Sequence, residues 1–241
     1  MSPRPCRCRN KTDTNDAHSI AQVVRSGWYR PAVVKSVHSC RVRAILAARR
    51  QLVEVRTGLY NQIRGLLKTF GVILAPGTGG TFERAVNAEC PDDPMVRDAI
   101  GALVCAWKAA GEQKVALERQ LVRIARDQDV CRRLATVPGV GAITSLTFVT
   151  ALDDPTRFRR SCDVGAYLGL TPKRYQSGEV DLGGRISKAG DRTAHSLLFE
   201  AANALMTRVR KDCTLRSWGL SLAKRIGSRK AKVAVARKLA V

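Results

Sequence analysis

Apolar side chains in the central part of the chain recur at helical spacing, which predicts two long helices. An apolar residue stands at every seventh position from Ile45 to Leu66, and after Pro94 apolar residues recur at steps of three and four up to Ile124. Such stripes are typical of amphipathic helices that bury one face against a partner. Two interpretations are open: the helices pack on each other as an antiparallel hairpin, or they form a coiled-coil seam between two copies of the chain.

Shorter signals frame these helices. A first helix is predicted to begin at Thr12 or Thr14 and to end near Gly27, because Thr and Asp are good N-terminal caps and glycine commonly follows a helix. Residues 1–12 are polar and basic and are predicted to be an unstructured arm. The glycine-rich run at residues 75–80 lacks the Gly-Lys-Ser/Thr ending of a phosphate-binding loop and is predicted to be a linker.

The pattern changes near residue 133 to short segments separated by glycines and turns. We therefore divide the chain into residues 1–39, a basic arm with a short helix, residues 40–132, a long helical region, and residues 133–241, a C-terminal domain rich in α-helix. The predicted fold class is mainly α.

Residues 134–146, LATVPGVGAITSL, have the pattern of a helix-hairpin-helix. Glycines in such a turn let backbone N–H groups and a helix N-terminus approach a phosphate closely. Pro138, Gly139 and Gly141 are therefore candidate nucleic-acid contacts. The competing interpretation is a plain tight turn between two helices.

The charge of the chain points to a polyanionic partner. The 241 residues include 42 Lys+Arg against 20 Asp+Glu, a formal charge of +22, while a 45% hydrophobic fraction excludes a wholly disordered tail. Nucleic acid is the first candidate partner. A membrane-surface protein is disfavoured because the basic stretches lack a broad apolar face opposite them. With no secretory signal and no apolar run of the ~20 residues that a span needs, we expect a cytoplasmic, nucleoid-associated protein.

Two carboxylates stand at the predicted start of the first helix. Asp13 and Asp16 share a helix face at i and i+3 spacing. Such a pair would suit one Mg²⁺ ion, which prefers a few carboxylates and retained waters. Spacing alone favours a simpler interpretation, in which both acids stabilise the helix N-terminus.

A serine in the C-terminal domain is surrounded by basic residues. Ser177 precedes a glycine, and cations in this position would stabilise charge on a phosphate under attack by the hydroxyl. Glu179 and His195 are the candidate bases. The alternative is a hairpin turn with Ser-Gly at its tip and arginines on the DNA backbone. The candidate nucleic-acid contacts here are Lys173, Arg174, Arg185, Lys188 and Arg192.

Three stretches together resemble the transposases of the insertion-sequence 110 family, also called the 116/110/902 family. They are KTDTNDAHSIAQVVRSGWYRP at residues 11–31, LATVPGVGAITSLTFVTAL at residues 134–152, and the long segment FRRSCDVGAYLGLTPKRYQSGEVDLGGRISKAGDRTAHSLLFEAANALMTRV at residues 158–209. The third is long and specific. The resemblance runs from about Asn10 to Val241.

This resemblance implies a bacterial DNA recombinase with two catalytic parts. A RuvC-like domain carries four acids that hold Mg²⁺, and a C-terminal domain carries a serine nucleophile that links covalently to DNA. A long helical coiled coil joins them and mediates homo-oligomer assembly, and a structured guide RNA is a partner. By this resemblance Asp13 and Asp16 correspond to the last two acids, Ser177 to the nucleophile, and residues 134–146 to the family's helix-hairpin-helix.

Departures from the family pattern bear on activity. The β-rich start of the RuvC-like domain and its first two acids have no counterpart, His195 stands where arginine is common, and the last helix of the family continues beyond the position of Val241. We therefore expect a transposase trimmed at both ends, with a remnant helix of the RuvC-like domain, and inactive as this chain. The alternative is a non-catalytic nucleic-acid-binding remnant or regulator that associates with full-length transposase.

Overall fold

A computed structural model shows a mainly helical protein, as predicted. Its described residues form ten α-helices, one single-turn 3-10 helix at Pro155–Arg157 and one sheet of two strands. Two compact units are present, residues 1–35 and 36–241. No helix in the described part is long and apolar enough to cross a membrane. The structure describes residues 12–27, 29, 33–177, 180–187, 189–209 and 213–241.

The first unit contains helix α1, Asp13–Ser26, which begins and ends where the sequence predicts. The Thr12 side chain accepts a hydrogen bond from the Asn15 N–H at 3.3 Å, and Gly27 adopts a left-handed conformation with φ 65°. A glycine closes a helix in this way because it carries no Cβ to clash. None of the α1 side chains is buried within this unit.

The two long predicted helices are present as α2, Val37–Thr69, and α4, Pro94–Asp127. The carboxylate of Asp93 accepts hydrogen bonds from the first free N–H groups of α4. Pro94 occupies the first helical position, where no N–H is needed. Local capping chemistry thus determines where α4 begins.

Helices α2 and α4 pack on each other as an antiparallel hairpin. Val42 near the start of α2 shares an apolar cluster with Leu121 near the end of α4. Ile63 near the end of α2 shares another with Ile100 near the start of α4. The two apolar stripes therefore face each other within one chain. A coiled-coil seam between two copies stays a prediction, and it would use other surfaces of these helices.

An ion-pair network reinforces the hairpin. Arg49 of α2 donates two hydrogen bonds, 2.6 and 2.9 Å, to Glu118 of α4, and Lys114 lies 3.2 Å from the same carboxylate. Burial raises the pKa of Glu118, but the hydrogen bonds from Arg49 and Lys114 outweigh it and bring the pKa below its ordinary value. The contact is half-buried and therefore contributes more than an exposed surface pair.

A short helix that the sequence analysis did not predict follows the glycine-rich run. Helix α3, Gly80–Glu89, buries Phe82 and Val86 on its inner face. The ring of Phe82 lies between those of Tyr60 and Trp107, at centroid distances of 4.4 and 5.2 Å. Two apolar anchors one turn apart are enough to dock a helix this short, but they are too few to form a stripe that periodicity detects.

The rest of the chain forms a second helical core around α8, Arg192–Thr207, and α10, Ser228–Leu239. Its centre includes Leu168, Leu205 and Val235, each with no exposed surface. Packing is continuous across residues 130–133, because Cys131 shares a cluster with α2 and α4. The elements are α5 Asp129–Ala135, α6 Ala142–Leu152, α7 Ser161–Tyr167, β1 Pro172–Ser177, β2 Val180–Ile186, α8 Arg192–Thr207, α9 Thr214–Ile226 and α10 Ser228–Leu239.

The role of Phe82 as the anchor of α3 is testable. Phe82→Ala removes a ring that is 1% exposed and is expected to destabilise the protein by about 3–5 kcal/mol, the usual cost of a Phe-sized cavity. Urea unfolding followed by tryptophan fluorescence measures this loss. Ile73→Ala is the control, because Ile73 is 76% exposed in the loop between α2 and α3 and is expected to change stability by under about 0.5 kcal/mol. Equal losses in the two variants would contradict the anchoring role.

Candidate functional site

Ser177 lies at the end of a two-stranded antiparallel ribbon. Strand β1 ends at Ser177, which stands opposite Val180, the first residue of β2. The side chain of Ser177 is exposed. The antiparallel pairing of β1 and β2 is compatible with the hairpin that the sequence offers as an alternative. Residues 178–179, the tip of the Ser-Gly turn, lie outside the described residues, and Glu179 with them.

Exposed cations flank Ser177 on the same ribbon. Lys173 and Arg174 belong to β1 and Arg185 to β2, while Arg192 is the first residue of α8 and is also exposed. Lys188 lies outside the described residues. The structure thus brings three of the predicted basic residues onto the strands that carry Ser177, with a fourth on the helix that follows them.

One of these cations is engaged within the ribbon. Arg174 donates two hydrogen bonds to Asp181 across the strands, at 2.6 and 2.9 Å. The guanidinium holds the pKa of the Asp181 carboxyl below its ordinary value. Among the described residues, no carboxylate lies within ion-pair distance of Lys173 or Arg185. The side chains of Lys173 and Arg185 on the ribbon are therefore available to a phosphate.

The chain leaves the ribbon through a position that requires glycine. Gly190 has φ 77°, and a Cβ there would lie 2.0 Å from the carbonyl oxygen of Tyr167 at the end of α7. A side chain would meet both a backbone clash and an unfavourable φ. Close contact between the backbone at Gly190 and the end of α7 thus ties the ribbon's C-terminal end to the domain.

Asp191 caps α8 and links it to the long hairpin. Its carboxylate accepts hydrogen bonds from the N–H groups of Thr193 and Ala194, at 2.9 and 3.0 Å, and from Arg43 of α2, at 2.6 Å. Burial raises the pKa of Asp191, but the hydrogen bonds from Ala194 and Arg43 more than offset it, so the pKa lies below its ordinary value. No local sequence signal marks the link from Asp191 to α2, because Arg43 is 148 positions away.

His195, one of the two candidate bases, is oriented by the backbone. Its Nδ1 lies 3.1 Å from the carbonyl oxygen of Leu168. Because a carbonyl only accepts, Nδ1 must carry the proton in this contact, and the neutral ring then presents Nε2 as the acceptor. No hydrogen bond joins His195 to Ser177 in the described part of the chain.

The predicted helix-hairpin-helix segment forms two helices joined by a turn, α5 and α6. Gly139 within the turn has φ 92°, and a Cβ there would lie 2.7 Å from the carbonyl oxygen of Ala201 in α8. Gly139 is therefore required for packing against α8. Gly141, by contrast, is exposed at the start of α6, with no other atom near its missing Cβ and no side chain capping the helix. Pro138 is half-buried, and contact of these three residues with DNA stays a prediction.

Asp13 and Asp16 lie in the first turn of α1, and both are exposed. Their carboxylate oxygens are of the donor type that Mg²⁺ prefers. Within the described residues, however, no group of three or more His, Cys, Asp or Glu side chains is placed to hold a metal ion. The donor chemistry fits Mg²⁺, while the number of donors amounts to part of a site.

Two family models match separate segments of the chain. A family model described as "Transposase IS116/IS110/IS902 family" matches residues 131–216, the segment that contains Ser177. A second model, described as "Transposase" and of the DEDD type of IS110, matches residues 4–71, which contain Asp13 and Asp16.

Curated relatives extend the similarity along most of the chain. The chain is 32% identical to the "Transposase for insertion sequence element IS1111A" of Coxiella burnetii, over 95% of this chain and 64% of the relative. It is 30% identical to a "Probable family 20 transposase" of Pseudomonas aeruginosa, over 95% and 70%. A "Putative transposase y4pF/y4sB" of Sinorhizobium fredii is 29% identical over 98% and 62%.

The chain therefore belongs to the IS116/IS110/IS902 family of insertion-sequence transposases. It spans a little under two thirds of the length of two of these relatives and 70% of the third.

Substitution of two neighbouring glycines can distinguish a role in packing from a role in DNA binding. Gly139→Ala is expected to destabilise the protein by about 1–3 kcal/mol, because it combines a backbone clash with an unfavourable φ. Gly141→Ala is expected to cost under about 1 kcal/mol, the difference between these residues as an N-cap, and to weaken DNA binding if a phosphate approaches α6. Urea unfolding and fluorescence anisotropy with labelled DNA measure the two effects. A Gly139→Ala variant as stable as wild type would contradict the packing role.

The link through Asp191 predicts a pH-dependent contribution to stability. At pH 7, Asp191→Ala is expected to lose about 0.5–2 kcal/mol from the cap alone, while Asp191→Asn keeps a capping side chain and loses the charge. Because the folded pKa lies below the unfolded value of about 3.9, the charge stabilises above that pH, and its contribution disappears as the pH falls through the folded pKa. Urea unfolding at neutral and acidic pH should show wild type and Asp191→Asn converging in acid. A difference that is independent of pH would contradict this assignment.

Proposed function

We propose that this chain acts on DNA as part of an insertion-sequence recombinase, with Ser177 as the nucleophile. The observation that carries the proposal is the exposed hydroxyl of Ser177 at the end of a ribbon that also presents Lys173 and Arg185. Family membership supports it, because the segment matched by the transposase model includes all three residues.

The proposed reaction is a transfer of a DNA phosphoryl group to serine. Oγ of Ser177 attacks the phosphorus of a phosphodiester, the Oγ–P bond forms, and one bridging P–O bond breaks. The serine proton passes to a base, for which Nε2 of His195 is the described candidate, and the departing DNA oxygen takes up a proton. Lys173 and Arg185 stabilise the charge on the phosphate oxygens. Attack by a second DNA hydroxyl then releases the serine.

Asp13 and Asp16 are the proposed magnesium ligands of this chain. When bound, Mg²⁺ would neutralise charge on the phosphate. Two exposed carboxylates on one helix turn form part of a site, so this chain alone should bind Mg²⁺ weakly and should not recombine ordinary DNA.

The proposed partners are nucleic acids, inferred from the charge of the chain, and a second copy, inferred from the exposed faces of α2 and α4. A formal charge of +22 supports binding of DNA and of a structured guide RNA. Because the facing stripes of α2 and α4 are used within the chain, a second copy would associate through their outer surface, where Val55 and Val115 are 41% and 39% exposed.

A second candidate function is that of a non-catalytic nucleic-acid-binding regulator. The observation that favours it is that the described residues include no cluster of three or more metal-ligating side chains. Such a protein would bind DNA and associate with complete transposase copies without forming a covalent link.

Suicide DNA substrates separate the two functions. We expect the purified chain to give no covalent adduct with ordinary DNA in Mg²⁺. DNA carrying a bridging phosphorothiolate, in the 3′ or 5′ position, has a thiolate leaving group that needs little metal assistance. Wild type should form a slow covalent adduct with one of these substrates, detected by denaturing electrophoresis and mass spectrometry of the Ser177 peptide, and Ser177→Ala should form none.

One control variant makes the result decisive. Ser196→Ala changes an exposed serine elsewhere in the domain and should leave adduct formation unchanged. An adduct that persists in Ser177→Ala would rule out the proposed nucleophile, and no adduct with either substrate would favour the regulator. Cleavage of ordinary DNA by the chain in Mg²⁺ would overturn the expected inactivity.

A further inference from the structure

The ribbon that carries Ser177 exposes two large apolar side chains. Tyr175 is 74% exposed and Leu182 is 63% exposed, and the two residues stand directly opposite each other in the strand register. All six side chains of β1 are exposed. A two-stranded ribbon with apolar side chains in water is only marginally stable, so this surface is suited to contact with a ligand.

Strand geometry places these apolar residues on the same face as the serine. Side chains alternate along a strand, and residues directly opposite share a face. Tyr175 and Ser177 of β1 therefore share one face with Leu182 of β2. The opposite face carries the Arg174–Asp181 ion pair, which satisfies its own charges.

We propose that Tyr175 and Leu182 form a stacking surface for the nucleobases of the DNA that Ser177 attacks. This inference rests on the proposed function and deepens it. Aromatic side chains stack on bases of any sequence. Apolar side chains of some DNA-binding proteins insert between base steps.

The spacing along β1 fits a nucleic-acid strand. Residues two apart on a strand are separated by about 7 Å, which is about two steps of 3.4 Å along a DNA strand. Tyr175 is thus positioned to contact a base about two steps from the phosphate at Ser177. An aromatic ring and a hydroxyl therefore follow each other on one face of the ribbon.

Charge selects DNA over a second copy of the chain as the occupant. The described ribbon residues include three basic side chains, Lys173, Arg174 and Arg185, and one acid, Asp181. A surface of another copy belongs to a chain that itself carries +22, and like charges oppose that contact. A polyanion with apolar bases satisfies both the cations and the apolar pair.

In this arrangement Tyr175 is a positioning residue for the reaction. It holds a neighbouring base so that one phosphate faces the Ser177 hydroxyl, and it takes no part in proton or phosphoryl transfer. Its ring matters for this role and its hydroxyl does not, so phenylalanine should replace it.

The test uses a short DNA duplex that contains 2-aminopurine, a base whose fluorescence changes when its stacking changes. Binding of the 241-residue chain is expected to change this fluorescence, and Tyr175→Phe should reproduce the change. Tyr175→Ala should abolish it and weaken affinity by about 5- to 100-fold, as expected for the loss of one stacked base. Leu182→Ala should reduce the change. Anisotropy of a labelled duplex measures affinity in parallel.

Phe70→Ala is the matched control, since Phe70 is an aromatic side chain 53% exposed at the end of α2. It should leave affinity and 2-aminopurine fluorescence as in wild type, and circular dichroism should confirm the fold of every variant. Binding without a fluorescence change, or an unchanged response in Tyr175→Ala, would overturn the stacking role and leave the proposed function standing. Absence of any DNA binding would overturn both. A shift from dimer to monomer caused by Tyr175→Ala in sedimentation would assign the surface to a second copy instead.

Discussion

Burial of helix α6 between the long hairpin and the C-terminal core is the interaction on which the larger unit depends. The first part of α6 places Leu146, with no exposed surface, in the cluster formed with α2 and α4. Its last part places Ala151 and Leu152 in the core around α8. Apolar side chains on all sides of a helix require burial on all sides. One eleven-residue helix thereby makes two apolar cores into a single packed unit.

Polar contacts then set the orientation of the elements that α6 brings together. Arg43 and Arg50 of α2 donate hydrogen bonds to Asp191 and Thr193 at the start of α8, at 2.6 and 2.7 Å. At the C-terminal end of α6, Asp153 accepts hydrogen bonds from Ser36 at the start of α2, at 2.6 and 2.7 Å. Apolar burial supplies the stabilisation, while these directional contacts restrict how α2 and α8 are placed.

The candidate site depends on this arrangement through α8. The ribbon with Ser177 is tied at its C-terminal end to the domain by the close contact at Gly190 and by the cap at Asp191. The serine, the free cations and the apolar pair therefore project from a firmly packed base, while the ribbon itself stays exposed. Exposure is what the proposed substrate, duplex DNA, would require, because it cannot enter a closed pocket.

Much of the secondary structure could be predicted without coordinates, because the signals that determine it are local. The heptad spacing from Ile45 to Leu66 predicts a long helix, Thr12 and Gly27 mark the limits of α1, and Pro94 marks the start of α4. Each of these signals lies within a few residues of the feature that it predicts. The segment around Ser177 was long enough to show the family, which the matched models confirm.

Other features depended on residues distant in the chain. A helical stripe shows which face is apolar but not what covers it, so only the fold could show that α2 and α4 face each other within one chain. A glycine in the sequence does not show which atoms a side chain at its position would contact. The packing of Gly139 against Ala201 could therefore not be predicted. The same holds for Tyr175 and Leu182, since exposure is a property of the folded surface. The sequence by itself determined the long helices α2 and α4, the limits of α1 and the family. The tertiary structure decided which faces are buried and which stay exposed, because burial depends on contacts between distant parts of the chain.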